Sequence, residues 1–466
     1  MAENNQKEKA YILEGCKIPN QQGTPSPDTI SPSSCDMKGL VDSDKDEPQT
    51  SLLYASFNYI NSIIGSGVIG IPFAFQQAGF GLGLILLLVV AVMSDFSLVL
   101  MVRCGHLAGD FSYQGIMNSA FGQAGFVLLS LLQFIYPFIA MVSYNVVVGD
   151  TITKFLVRLL KLDPTSLFSQ REVVVLFATA FVTLPLCLYK DIAKLAKVSL
   201  FSLACVGFIL LAVIIEFFSL YNVVPRTPDA WNFSNWNVIP AIGIMTFAFM
   251  CHHNTFLIYG SIRNATEEKW IKVTHYSLTV SYIIAALFGI VGYATFTGNS
   301  QGDLLENYCP DDDLINAARI FFSISILLTY PIECFVTREI LESTILPKIN
   351  WNSSFISHQH FIITCLLILI TYLLSMITDC LGIVLELNGV LAAVPLAYIL
   401  PALCYLKLEP SPILSKIKLC PMILLAFGIS VATLGTVFVI TDYTTLGTCN
   451  HGEIMDYCKT NDTLMT

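Results

Sequence analysis

The sequence predicts an all-α, multi-pass membrane protein of eleven transmembrane helices. Three observations lead there: the composition, a succession of apolar runs each long enough to cross a bilayer, and two helix-breaking stretches five spans apart. Of 466 residues, 55% are hydrophobic and only 12% charged, with a mean hydropathy of +0.68. Soluble domains carry roughly 25% charged residues, so this is an integral membrane protein rather than a globule with one anchor. The pI near 5.1 leaves no basic surface to neutralise phosphates, which excludes nucleic acid as a partner.

Residues 1–50 mix Pro, Ser, Asp and Lys, as in Thr24-Pro25-Ser26-Pro27. Too polar to bury a core, they read as a disordered cytoplasmic tail and contain no apolar segment of a cleavable signal peptide. The transmembrane domain is expected over 51–442. A crossing of about 30 Å takes roughly 20 residues, and such runs fall at 52–78, 82–102, 124–150, 172–189, 198–221, 238–262, 274–297, 314–343, 360–378, 382–406 and 420–441. An odd number of spans puts the chain ends on opposite sides, so 443–466 is expected as an extracytoplasmic tail. With the N-terminus cytoplasmic, the inner segments hold Arg103, Lys190, Lys194, Lys197, Arg263, Lys269, Lys272, Arg338, Lys348, Lys407, Lys416 and Lys418. The outer segments hold Lys154, Arg158, Lys161, Arg171, Arg226 and Lys459. This excess satisfies the positive-inside rule, with one awkward cluster between the third and fourth spans.

Two sequons, Asn232-Phe233-Ser234 and Asn461-Asp462-Thr463, fall on the expected outer side, where glycosylation is possible, whereas Asn352-Ser353-Ser354 falls inside. Most of the 14 cysteines lie in apolar runs, where Cys205, Cys251, Cys365 and Cys404 act as small buried hydrophobes. No CxxC or Cys/His zinc spacing occurs. Cys309, Cys449 and Cys458 lie in outer polar segments, and three thiols leave the choice of disulfide pair open.

The first span is interrupted by Gly65-Ser66-Gly67-Val68-Ile69-Gly70-Ile71-Pro72. Glycine costs backbone entropy in a helix and proline removes an N–H donor. Freed backbone groups survive in hydrocarbon only where they are buried in protein or line a cavity. The sixth span carries Phe247-Ala248-Phe249-Met250-Cys251-His252-His253-Asn254, with two histidines and an amide at mid-span. Interruptions at corresponding positions of two halves point to an inverted repeat with a solute site at its midplane. Spans one to five and six to ten are the expected halves, and the eleventh is an addition.

Asn58-Tyr59-Ile60-Asn61 followed by Gly65-Ser66-Gly67-Val68-Ile69-Gly70 resembles the first-helix motif of the sodium-coupled neutral amino acid transporters, within the amino acid/auxin permease family. Phe247–His252 with Ile258-Tyr259, and Arg319 with Thr329-Tyr330-Pro331, are similar to the same family's sixth- and eighth-span patterns. The resemblance covers essentially everything after residue 50 and implies a LeuT-like fold: a 5+5 inverted repeat plus one extra helix. One departure is that residues 222–237 contain no cysteine, so the outer-loop disulfide of better-known members does not carry over.

A zwitterionic amino acid needs an anion receptor beside a cation receptor, and unwound backbone supplies both. Ser66, Gly67 and Gly70 are the expected carboxylate end; Phe247, Ala248 and Phe249 flank the ammonium and side chain, and His252 joins the site. Sodium takes several oxygen ligands. The resemblance points to Asn61 and Thr329, and carbonyls of Ile64 and Gly67 with the hydroxyl of Ser325 complete the candidate set. No cofactor is expected beyond sodium as coupling ion, with protons left open by Asp95 and Glu386. Asp95 is expected in a structural pairing, while Glu216, Arg319 and Glu333 are assigned to snorkelling near the interfaces. The expected function is secondary transport of neutral amino acids with sodium in a plasma or lysosomal membrane. A proton-coupled vacuolar type and a non-transporting sensor are the alternatives. No nucleophile–base motif or phosphate loop suggests an enzyme.

Overall fold

The computed structural model describes residues 51–163, 166–188, 199–345, 359–377, 380–442 and 455–459. The N-terminal tail, Asn352, Asn461, Cys449 and most of the C-terminal tail lie outside them. Among the described residues, nine helices are long and apolar enough to cross a membrane, and a pair bent by 49°, Leu52–Ile63 with Ser66–Ala78, supplies a tenth. The expected fourth span is a helical run over 171–187, made of Arg171–Ala178, a π-helical turn at Thr179–Thr183, and Leu184–Cys187. All eleven expected spans are represented, in order.

The largest difference from expectation is the third span, which runs over Tyr113–Leu160 rather than 124–150. Gly122, at φ 63°, adopts the left-handed conformation that glycine tolerates best and turns a preceding arm, which buries Tyr113, Ile116, Met117 and Ala120, away from the span proper. At the other end the helix continues past the apolar run because its cations find partners. Lys154 pairs with Glu306 at 2.7 Å, and Arg158 reaches Asp311 and Asp313 at 3.3 and 3.4 Å. Arg171, opening the fourth span, pairs with Asp150 at 2.7 Å. The awkward outer cluster of positive charge is thus largely matched by carboxylates.

Close crossings hold the bundle together. A Cβ on Gly389 would lie within 2.9 Å of the Gly243 backbone, so the sixth and tenth spans meet through bare backbone. Gly289 and Gly292 admit Phe75 and Pro72 of the first span against the seventh in the same way. The sixth span is the most enclosed, with 78% of its apolar window buried, while the eleventh has only 22%. That contrast marks the eleventh as a peripheral addition and the sixth as the axis around which the rest is arranged.

Candidate functional site

Both expected breaks are present. The first half-helix ends at Ile63, the ladder closes on Ile64 N–H donating to Ile60 O at 2.8 Å, and a 3-10 turn over Ser66–Gly70 leads into Ile71–Ala78. The sixth span runs over Val238–Ala248, unwinds through Phe249–Cys251, and resumes as a 3-10 turn at His252–Asn254 and a helix at Thr255–Ser261.

The two breaks touch. A Cβ on Gly67 would sit 2.6 Å from the Ala248 Cα and 3.0 Å from the Phe247 ring, so only glycine lets the backbones approach this closely. On one side of this point the half-helices are bonded: the hydroxyls of Tyr59 and Thr255 lie 3.1 Å apart, and Asn254 Nδ2 donates to Ser62 Oγ at 2.6 Å. On the other side, a Cβ on Gly70 would meet Leu385 at 2.7 Å and Ile244 at 3.4 Å. Gly70 is therefore a packing glycine against the sixth and tenth spans. Ser66, Gly67, Phe247, Ala248 and Phe249 are all buried around the meeting point.

Seven of the buried polar atoms without a hydrogen-bonding partner lie on the spans around these breaks. They are Asn61 Oδ1, Asn145 Nδ2, both ring nitrogens of His252, His253 Nδ1, Glu333 Oε2 and Asn388 Oδ1. Native interiors leave few such atoms, and each calls for an explanation such as a ligand or water. Tyr136 ties several of their bearers together: its ring centroid lies 5.7 Å from Phe247 and 5.6 Å from His253, and its carbonyl accepts from Asn388 Nδ2 at 3.0 Å. Tyr136, Asn145 and Asn388 escaped the sequence reading, although Pro137 and a mid-span amide were visible signals of a specialised third span.

Of the ion-site candidates, Asn61 presents a buried oxygen with no partner. Thr329 donates its hydroxyl to Ser325 O at 2.9 Å, and the Ser325 hydroxyl lies 2.5 Å from that of Ser202 in the fifth span. Both hydroxyls retain acceptor capacity. Among the described residues no hydrogen bond joins Asn61 to Ser325 or Thr329; the fifth span packs against both the first half-helix and the eighth span.

The structure corrects two ionisable residues assigned to snorkelling. Arg319 is fully buried and donates to Asn316 Oδ1 at 2.7 Å and to Leu305 O and Tyr308 O at 2.8 Å, pinning the loop that precedes the eighth span. Glu333 is only 7% exposed, deep in the same helix. Glu216 is half-buried, compatible with the interface. Asp95 accepts from His275 Nδ1 at 2.6 Å, the structural pairing expected of it. Glu386 is buried in the tenth span.

The loop between the seventh and eighth spans folds inward over the first break. Leu304 packs on Gly292, and the Gly302 carbonyl lies 3.5 Å from the Cβ position of Gly70. Asp303 is buried with its Oδ2 unpartnered. Burial, reinforced by Glu306 and Asp150, pushes its carboxyl up to about 8 against the opposing effects of the Leu305 N–H and Lys154. A disulfide joins Cys309 to Cys458, and Tyr457 donates its hydroxyl to Asn307 O, so a C-terminal segment clasps this loop. Cys380, at the start of the tenth span, is disulfide-bonded as well, so the three thiols weighed from sequence were an incomplete set. The sequon residue Asn232 is exposed, in a loop whose backbone bonds the start of the second span.

With this geometry in view, comparison with known proteins is informative. Residues 48–441 match the family described as "Transmembrane amino acid transporter protein". The chain is 46% identical over 431 residues to a Rattus norvegicus protein named "Putative sodium-coupled neutral amino acid transporter 11", covering 92% of this chain and 93% of that one. Its Homo sapiens counterpart is 45% identical over 383 residues, 82% of this chain and 92% of the other. "Vacuolar amino acid transporter 2" of Saccharomyces cerevisiae is 29% identical, with 90% of each chain covered. Among solved structures, a manganese transporter of Eremococcus coleocola superposes with a TM-score of 0.53 at 14% identity, over 91% of this chain and 93% of that one. That likeness establishes the fold alone, the LeuT-like arrangement with breaks in its first and sixth spans. An all-helical bundle, two interrupted spans in contact and the match along nearly its whole length agree: the chain belongs to the transmembrane amino acid transporter family, a family of transporters and not of enzymes.

Proposed function

We propose that this protein is a secondary active transporter that moves neutral amino acids together with sodium by alternating access. The observation that carries the reading is the contact between two interrupted spans at Gly67 and Ala248, deep inside the bundle. Helix termini meeting there offer N–H groups to a carboxylate and carbonyls to an ammonium, the two receptors a zwitterion requires. In this reading Ser66 and Gly67 form the carboxylate end, with Gly70 packing behind them, and Phe247, Ala248, Phe249 and His252 surround the rest of the substrate. Asn61, Ser325 and Thr329, with the carbonyls of Ile64 and Gly67, hold sodium. The unpartnered oxygen of Asn61 supports that assignment, as do relatives named for sodium coupling. The N-terminus faces the cytoplasm of a plasma or lysosomal membrane. Rocking of one helix group against the other then exposes the site alternately to each side.

The test is uptake into liposomes holding the purified protein, with sodium and proton gradients varied separately. Accumulation of labelled glutamine or alanine only under an inward sodium gradient is the expected result. A second reading, proton-driven transport, draws on the buried carboxylate of Glu333 and on similarity to a vacuolar transporter. Uptake that persists without sodium and follows the pH gradient selects it. Binding without any counterflow would instead mean a sensor.

A further inference from the structure

We propose that Glu333 forms the side-chain end of the substrate site and selects amino acids whose side chains carry N–H donors. This inference rests on the transporter reading above and, by admitting a side-chain ammonium beside an amide, extends its substrates beyond neutral amino acids.

Glu333 lies in the eighth-span helix Asp313–Ile340, one turn beyond Thr329 and so on the same helical face. It is 7% exposed, and its Oε2 has no hydrogen-bond partner. Among the described residues none of the ion pairs involves it. Tyr136 and Tyr144 of the third span lie within electrostatic reach of its carboxylate. On its own helix Tyr330 packs against Tyr144 at 6.1 Å between ring centroids. Tyr136 in turn contacts Phe247 and His253. A buried carboxyl with an unpartnered acceptor oxygen therefore lies within electrostatic reach of Tyr136, whose ring contacts Phe247 and His253 at the sixth-span break.

A buried carboxyl oxygen without a donor is costly, and intramembrane acids are normally paired or functional. An occluded substrate with a purely apolar side chain leaves that oxygen dry and unpaired. A side-chain amide or ammonium donates to it, and a cationic group also gains from the surrounding aromatic faces. Sites built to hydrogen-bond a substrate reject the analogue that lacks the donor far more strongly than apolar pockets reject an extra methylene. The shared chemistry is the N–H donor; an amide and an ammonium are its two sources.

Ligand-induced thermal stabilisation of the full-length protein in lipid nanodiscs tests this, with L-glutamine, L-lysine and L-norleucine as probes. Glutamine or lysine is expected to bind about tenfold or more tightly than norleucine. In Glu333→Leu that preference disappears, whereas Glu333→Gln keeps the preference for glutamine and loses any for lysine. The leucine variant removes an uncompensated buried carboxyl, and size-exclusion elution verifies that it is folded. Equal affinities in the wild type, or a preference unchanged in Glu333→Leu, overturn the proposal while leaving amino acid transport intact. No stabilisation by any of the three overturns the proposal, and the absence of alanine uptake in the liposome assay would then overturn the transporter reading as well.

Discussion

Gly67 shows how little room a single residue can leave. With Ala248 Cα only 2.6 Å from where its Cβ would stand, any side chain forces the two breaks apart. Overpacking of this kind costs about 1–3 kcal/mol in a well-packed interior, and here the strain falls on the proposed substrate position. Gly67→Leu is expected to abolish uptake while surface expression stays near wild type; retained uptake would mean that the site lies elsewhere. Asn61 offers the converse case, an oxygen waiting for a partner. Asn61→Ala is expected to require about tenfold more sodium for half-maximal uptake, equivalent to ~1.4 kcal/mol of lost ligation. An unchanged sodium activation curve removes Asn61 from the ion site. Asn61 was legible in the sequence because the family motif contains it. Glu333 was misread because a helix drawn from hydropathy says nothing about which flank faces a neighbour.

The loop between the seventh and eighth spans shows what an element does that its residues separately do not. Arg319, Lys154, the Cys309–Cys458 disulfide and Tyr457 all fasten it over the first break. Among its poorly satisfied groups is Asp303, whose carboxyl is raised from 3.8 to about 8, chiefly by burial. A carboxyl raised by folding contributes stability that is fully present below the unfolded value of 3.8 and is lost as pH rises through the folded value near 8. Residues 301–309 are therefore expected to exchange amide hydrogens progressively faster from pH 6 to pH 9, after correction for intrinsic exchange chemistry. Asp303→Asn should flatten that dependence. A slope surviving in the variant would assign it to another group. Polar loop residues carry no periodicity, so none of this inward folding could be read before the structure.

At the scale of the whole molecule, orientation and repeat symmetry matter most. The bonded pairs Tyr59–Thr255 and Ser62–Asn254 lock the first half-helix to the end of the sixth span, and Gly67 and Gly70 lock the remaining halves. These two joints are where the proposed rocking motion has to pass. The proposed sidedness rests on the distribution of Lys and Arg, and the exposed Asn232 offers a test of it. Enzymatic deglycosylation of protein expressed in mammalian cells is expected to lower its apparent mass, with the glycan mapped to Asn232. A glycan found only at Asn352 would invert the topology.

Composition and periodicity alone determined the class, the number of spans and the positions of both breaks. Each depends on a local quantity: twenty apolar residues to cross hydrocarbon, or glycine and proline where a helix cannot continue. Only the tertiary structure decided that Arg319 and Glu333 are buried, that Cys309 pairs with Cys458, and that the third span brings Tyr136 against the sixth-span break and Tyr144 against Tyr330. Those outcomes depend on which helix faces which, and in a chain apolar nearly all round, hydrophobicity cannot choose between one flank and another. Close contacts at small residues and the satisfaction of individual polar groups make that choice.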